Sequence, residues 1–190
     1  MPRLFRSGNI EIPYLRVYAA NVTLRSAGWF DLDDPVRGKT IVLQWHAHSA
    51  GMSPRRPNLA ILTDGHDWIL KRTFKDSASS TDFQREQVIL GKANLDTHYS
   101  WVVDSIWSPN DNGFINIELN GKSVYSRVGP NVYDDVFMGD YTPYFKAGIY
   151  HASWKEMLGK EHDSSRSVYV EPSSISSPET IASNVMFILN

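Results

Sequence analysis

The sequence predicts an all-β fold, a two-sheet antiparallel sandwich or jelly roll, from three observations. Apolar and aromatic residues fall in short segments that alternate as strands do. Turn residues such as Asp, Asn, Gly and Pro separate these segments. Helical signals are weak, and many short strands with regular turns are typical of sandwiches and jelly rolls.

The predicted strands are rich in β-branched or aromatic residues. In chain order they are 14–24, 40–46, 58–64, 67–74, 100–107, 113–119, 122–128, 144–150 and 167–171. Asp64-Gly65 and Asn120-Gly121 predict hairpin turns, because both pairs tolerate positive φ. Residues 76–89 are the one plausible helix near the middle, and 153–161 could form a helical turn.

The chain has 190 residues, 42% of them hydrophobic, which suits one domain with a sizeable core. Its net charge is −2, from 19 basic and 21 acidic residues, so nothing indicates a nucleic-acid partner. A locally basic cleft for an acidic partner is compatible with this balance. Disulfides and cysteine-metal sites are excluded because the chain has no cysteine.

No apolar run reaches membrane-spanning length, so no membrane partner is expected. The N-terminal stretch "MPRLFRSGNI" has basic residues but no apolar segment after them, which does not fit a signal peptide.

Three of the predicted strands should each bury one face and present a polar one, because alternate residues of a strand share a face. The expected core face comprises Leu15, Val17, Ile41, Leu43, Trp45, Phe145, Ala147 and Ile149. The expected polar face comprises Tyr14, Arg16, Tyr18, Thr40, Val42, Gln44, His46, Tyr144, Lys146, Gly148 and Tyr150.

If these three strands are neighbours in one sheet, their polar faces merge into one concave surface. Gln, His, Lys, Arg and Tyr supply hydrogen-bond donors and proton carriers, which suits an anionic polymer, and aromatic rings can stack on sugars. Gly148 would remove a side chain where something must approach closely. The competing interpretation is an ordinary solvent-facing side of a sheet.

Other candidate sites carry less weight. His46 and His48 share a strand face and could chelate a metal, but no carboxylate lies at a useful spacing. The acidic segment 31–35 could hold calcium, although a solvated turn is the simpler interpretation. We expect no metal site and no cofactor, with calcium left open. Four tryptophans are expected in the core: Trp29, Trp68, Trp101 and Trp107.

Four stretches of the chain resemble a known family in their residues and in their order along the sequence. They are "QWH", "PNLAILTDGHDWIL", "SWVVDSIWSPNDNGFINIELNGKSVY" and "YFKAGIY". Together they are similar to polysaccharide lyases of the heparin lyase I and glucuronan lyase type, and to alginate lyases with a Gln-Ile-His strand and a Tyr-Phe-Lys-Ala-Gly-x-Tyr strand. The likeness runs from Tyr14 to Glu171. It implies a β-jelly roll with a substrate groove on its concave sheet.

The resemblance also implies a reaction, β-elimination at a uronic acid of an acidic polysaccharide. Gln44 would hold the carboxylate, and His46 would be the base or a second neutralising group. Tyr150 would be the acid, or both acid and base. The substrate-binding residues would be Arg16, Lys146, Tyr144 and His151.

Two departures from the family pattern keep an alternative open. The usual Arg-Ser-Glu-Leu-Arg strand is reduced to "IPYLR", which keeps only Leu15 and Arg16. His151 stands where many relatives have Arg. The alternative is a non-catalytic glycan-binding or structural protein, such as a phage virion or decoration protein, on a lyase-like jelly roll. In either case an extracellular or virion-associated location is expected.

The chain is expected to divide into a jelly-roll domain, 1–172, and a C-terminal extension, 173–190. The extension begins as a Ser-rich loop and ends in an apolar run, 185–189. Such a run, if exposed, would promote aggregation. It is therefore expected to pair as an edge strand or to dock on a partner, in a homo-oligomer or a virion.

Overall fold

The computed structural model describes residues 15–25, 39–46, 57–76, 82–132, 143–150, 167–171 and 174–176. Within these ranges the chain forms eleven strands and no helix, which confirms the all-β prediction. The strands are β1 (Leu15–Leu24), β2 (Thr40–His46), β3 (Leu59–Thr63), β4 (Asp67–Phe74), β5 (Gln84–Lys92), β6 (His98–Ile106), β7 (Phe114–Leu119), β8 (Lys122–Val128), β9 (Tyr144–Tyr150), β10 (Val168–Val170) and β11 (Ser174–Ser176). In this part of the chain, then, no helix is long and apolar enough to cross a membrane.

The described strands form two antiparallel sheets, as expected for a jelly-roll sandwich. The back sheet has the order β10-β1-β6-β7-β8, and β11 also pairs with β1. The front sheet has the order β5-β4-β3-β2-β9. Strands distant in sequence, such as β2 and β9, are therefore neighbours in space.

The hydrophobic core lies between the sheets and is built around aromatic rings. Trp68 of the front sheet meets Trp101 of the back sheet edge-on, with ring centroids 5.3 Å apart. Tyr18 of the back sheet meets Trp45 of the front sheet at 5.5 Å, also edge-on. Such edge-to-face pairs add specific geometry to the burial of large apolar area. Trp107 is buried too, so three of the four predicted core tryptophans are confirmed; Trp29 lies outside the described residues.

The strand predictions match the structure closely, and the helix prediction near the middle is wrong. Residues 84–92 form β5, which pairs with β4 along its whole length. Gln84, Arg85 and Glu86 are good helix formers on propensity scales, but pairing with β4 overrides that weak preference. The predicted helical turn at 153–161 lies outside the described residues.

Both predicted hairpin turns are confirmed, with different turn lengths. Asn120 and Gly121 have φ of 52° and 75°, as a two-residue turn with both residues at positive φ requires. The connection from β3 to β4 is instead three residues long, from Asp64 to His66. An Asp64 Oδ1 atom accepts hydrogen bonds from the backbone N–H of His66 at 3.0 Å and of Asp67 at 2.9 Å. These side-chain hydrogen bonds stabilise the turn.

The C-terminal extension begins within the back sheet. Its residues 174–176 form β11, which pairs with Val17–Ala19 of β1. The apolar run 185–189, for which we predict an edge strand or a docking arm, lies outside the described residues.

A charged cluster joins the two sheets where β5 of the front sheet faces β8 of the back sheet. The buried guanidinium of Arg72 donates to Glu86 at 3.1 Å, to the backbone oxygen of Pro130 at 3.1 Å, and to the Tyr125 hydroxyl. Tyr125 in turn donates to Glu86 at 2.9 Å. Burial, the largest cause, raises the pKa of Tyr125, so its phenol stays protonated as a donor.

We predict that replacing Arg72 by Met destabilises the fold by about 2–4 kcal/mol, because Glu86, Tyr125 and the Pro130 carbonyl each lose a charged donor. The measurement is urea unfolding. Arg127→Met is the matched control: Arg127 also contacts Glu86, at 3.4 Å, but is 43% exposed, so its loss should cost less than about 1 kcal/mol. Equal destabilisation by the two variants would contradict this assignment.

Candidate active site

The pairing of β2 with β9 brings five of the predicted site residues onto one face of the front sheet. In this antiparallel pair Gln44 lies opposite Lys146, and His46 lies opposite Tyr144. Tyr150 lies opposite Ile41 at the other end of the pair. Cross-strand partners project their side chains to the same side of a sheet. We call the side turned away from the back sheet the front face.

A β-bulge in β2 makes one part of the predicted alternation wrong. The pairing register shifts between Ile41 and Leu43 against both neighbouring strands. Val42 and Leu43 therefore both belong to the buried core, while Ile41 pairs with Leu62 and Tyr150. A bulge places two residues of one strand opposite one of its partner, and so reverses the alternation beyond it. Ile41 lies on the front face, and Val42 does not.

The side chains of this face contact one another around Tyr144. The imidazole of His46 stacks on the Tyr144 ring, with centroids 5.7 Å apart and planes 28° apart. The Lys146 ammonium lies 4.8 Å from the centroid of the same ring, in cation–π range. Tyr144 therefore positions one imidazole and one cation beside each other.

Gln44 lies at the centre of these front-face residues, and its two neighbours in β2 are anchored in the core. Its flanking residues, Leu43 and Trp45, are each only 1% exposed in the core. Gln44 itself is 8% exposed, and among the described residues its carboxamide has no hydrogen-bond partner. A carboxamide in such a place can donate to an anion. Tyr150, at 51% exposed, stands open to solvent on the far side of Gln44.

The front face continues across β3, β4 and β5. One transverse row runs Lys146, Gln44, Ala60, Lys71, Gln87. The next row runs Tyr150, Ile41, Leu62, Ile69, Ile89. A pocket of about 380 Å³ indents this face, with Ile41 and Ala60 at one end and Arg85 among its other lining residues. The polar residues of β5 are missing from the predicted face because the sequence predicts a helix there. Lys71 lies on a predicted strand, but strand alternation alone does not place β4 in the same sheet as β2 and β9.

The prediction that Arg16 shares this face is wrong. Arg16 belongs to β1, which pairs with β6 in the back sheet. Arg16 and Tyr18 are two residues apart and therefore lie on the same side of β1. The Tyr18 side chain turns into the core and accepts a hydrogen bond from the Trp107 indole at 3.1 Å. Burial raises the pKa of Tyr18, and the charge of Arg16 is close enough to act against that rise. The core side of β1 is thus the Tyr18 side, opposite to the predicted one.

Three other predicted sites fall partly or wholly outside the described residues: His151, the pair His46 and His48, and the acidic segment 31–35. Within the described residues no group of three or more His, Asp or Glu side chains could hold a metal ion. His66 and His98 are exposed.

Gly148 has a role set by its backbone. Its φ is 143°, and a Cβ built on it would meet no atom of the described residues within 4 Å. The register of β9 against β2 shifts at this point, since Ala147 pairs with Leu43 but Tyr150 with Ile41. Glycine is therefore needed for the irregular backbone that presents Tyr150, and the space beside it is open.

A family model described as polysaccharide lyase matches residues 16–173, most of the chain. The chain belongs to the polysaccharide lyase family. This membership confirms the resemblance seen in the four sequence stretches. No curated protein sequence matches this polysaccharide lyase chain.

Solved structures of similar shape include three lyases. An endo-β-1,4-glucuronan lyase from the fungus Trichoderma reesei is 17% identical, with a TM-score of 0.62 over 86% of this chain and 68% of that one. The alginate lyase A1-II′ of polysaccharide lyase family 7 is 17% identical, with a TM-score of 0.54 over 86% and 62%. An alginate lyase from Pseudomonas aeruginosa is 12% identical, with a TM-score of 0.51 over 87% and 65%. This family member thus shares their fold and spans about two thirds of their length.

We predict that Gly148→Ala destabilises this polysaccharide lyase by about 1–3 kcal/mol, because a side chain strains the backbone at a φ of 143°. The added methyl meets no atom of the described part of the chain, so the expected loss comes from backbone strain and not from crowding. Urea unfolding of the two proteins measures the difference. A variant as stable as the wild type would show that this φ is not required.

Proposed function

We propose that the protein cleaves a uronate-containing polysaccharide by β-elimination on the front face. The observation that carries this proposal is the β2–β9 register, which sets Gln44 and Lys146 side by side between His46 and Tyr150. An amide donor and a cation thus lie at the centre, with a proton carrier on either side. Membership of the polysaccharide lyase family supports the same reaction class.

The elimination needs three things from the protein. The uronate carboxylate must be neutralised, so that the proton on the neighbouring C5 becomes acidic enough to remove. A base then takes that proton, a double bond forms between C4 and C5, and the C4–O4 bond breaks. An acid gives a proton to the departing O4 oxygen. No water enters the bond that is cleaved.

Gln44 and Lys146 are suited to the first task. The Gln44 carboxamide can donate a hydrogen bond to the carboxylate and to the charge that develops on it as C5 loses its proton. The Lys146 ammonium, held over the Tyr144 ring, adds a positive charge to the same place. Donors fixed in advance by a buried strand stabilise such a charge without reorganising during the reaction.

Tyr150 and His46 are suited to the proton transfers. The exposed hydroxyl of Tyr150 can protonate O4, and the imidazole of His46 can take the C5 proton from the other side of Gln44. In the second possible arrangement Tyr150 performs both transfers, and His46 helps to neutralise the carboxylate. In both arrangements Tyr150 delivers the proton to the leaving group.

We predict that Tyr150→Phe lowers the turnover of uronate polymers by about 100- to 10,000-fold, the usual contribution of a general acid or base. The variant keeps the ring and loses only the hydroxyl, which has no hydrogen-bond partner among the described residues. Stability and polymer affinity should therefore be unchanged. The assay follows the ultraviolet absorbance of the unsaturated product, with glucuronan and alginate as substrates.

Tyr169→Phe is the control, since Tyr169 is similarly exposed, at 54%, but lies on β10 of the back sheet. It should leave turnover unchanged. Undiminished activity in Tyr150→Phe would overturn the role given to Tyr150. Binding of these polymers without any product from the wild type would favour a glycan-binding protein.

A further inference from the structure

The front face also carries two cations outside the β2–β9 pair. The proposed elimination does not use these cations. Lys71 of β4 and Arg85 of β5 both line the pocket of about 380 Å³. Both side chains are exposed. Among the described residues neither has an ion-pair or hydrogen-bond partner.

The acidic side chain beside them is already engaged. Glu86 is the single carboxylate among the described residues that line the pocket. It accepts from Arg72 at 3.1 Å, from Arg127 at 3.4 Å and from the Tyr125 hydroxyl at 2.9 Å. Two guanidinium groups thus share one carboxylate, and Glu86 has no charge left to neutralise Lys71 or Arg85. The pocket keeps an excess of positive charge.

The surroundings of Lys71 agree with this charge balance. Desolvation, the larger cause, and the nearby positive charge of Lys39 both lower the pKa of Lys71. Among the described residues no acidic group acts in the opposite direction. An anion bound beside Lys71 would act in the opposite direction, because an opposite charge favours the protonated ammonium.

Lys71 also lies in line with the proposed reaction centre. It occupies the same transverse row as Lys146 and Gln44, with only the small side chain of Ala60 between Gln44 and Lys71. Three strand spacings of about 4.8 Å separate Lys146 from Lys71, or about 14 Å in all. A linear polysaccharide that crosses the strands along this row would meet both cations.

We propose that Lys71 and Arg85 form a second anion-binding subsite for the same polysaccharide chain, a few sugars away from the bond that is cleaved. This inference rests on the proposed function, because it assumes that an acidic polymer lies along the front face. It adds that the substrate is charged at more than one sugar. A polymer with one isolated uronate among neutral sugars would leave this subsite empty.

The test measures polymer affinity in the Tyr150→Phe variant, which should cleave the polymer much more slowly than the wild type does. The double variant Lys71→Gln/Arg85→Gln is combined with Tyr150→Phe, and the dissociation constants for glucuronan and alginate are measured by titration calorimetry. The matched control is Arg25→Gln/Lys122→Gln in the same background. It removes two positive charges as well, but from exposed positions away from the front face: Arg25 directly follows β1, where it pairs with Asp96, and Lys122 lies on β8 of the back sheet.

The proposal predicts that the Lys71/Arg85 variant binds the charged polymers about 3- to 30-fold more weakly, the scale of two exposed ion pairs. The control should change affinity much less. The difference between the two should shrink at high salt, because exposed charges are screened.

Three results would overturn it: equal weakening by both double variants, no weakening by either, or no binding of either polymer by the background protein. The failure of the proposed reaction would look different. Tyr150-intact protein would then form no unsaturated product, while the affinity difference between the two double variants persisted.

Discussion

The antiparallel pairing of β2 with β9 is the constraint on which the candidate site depends. It joins two segments far apart in the chain and sets Gln44 opposite Lys146. A slip of one residue in this register would turn every polar side chain of one strand into the core. The aromatic contact between Trp45 and Phe145, at 4.9 Å behind the same pair, opposes such a slip because both rings belong between the sheets.

The Glu86 cluster links the stability of the sandwich to the charge of its front face. Glu86 compensates the buried Arg72, and it also interacts with Arg127 and Tyr125 of the back sheet. This use of the carboxylate leaves Lys71 and Arg85 uncompensated in the pocket. The front face therefore has two polar regions. One contains the Gln44 amide, the His46 imidazole and the Lys146 ammonium, and the other, further along the sheet, contains Lys71 and Arg85. Both parts suit an extended acidic ligand better than a small one.

Strand alternation predicted the site where the strands are regular and failed where tertiary pairing intervenes. The bulge beside Val42 depends on how β2 meets β3 and β9, and no local signal in "TIVLQWH" marks it. The side of β1 that carries Arg16 was misassigned because Tyr18 is amphipathic, and only its contacts with Trp45 and Trp107 show that it faces the core. Arg85 is missed because helix-forming residues conceal β5, whereas Lys71 lies on a predicted strand and is missed because the order of the strands in the sheet cannot be read from the sequence.

We propose that this face breaks a glycosidic bond by elimination. Mass spectrometry of the products formed from glucuronan and alginate tests it most directly, because elimination adds no water to the cleaved bond whereas hydrolysis adds one. We expect fragments whose masses sum to that of the substrate, with one fragment of each pair unsaturated. Fragments that together carry one additional water, or intact polymer after prolonged incubation, would contradict it.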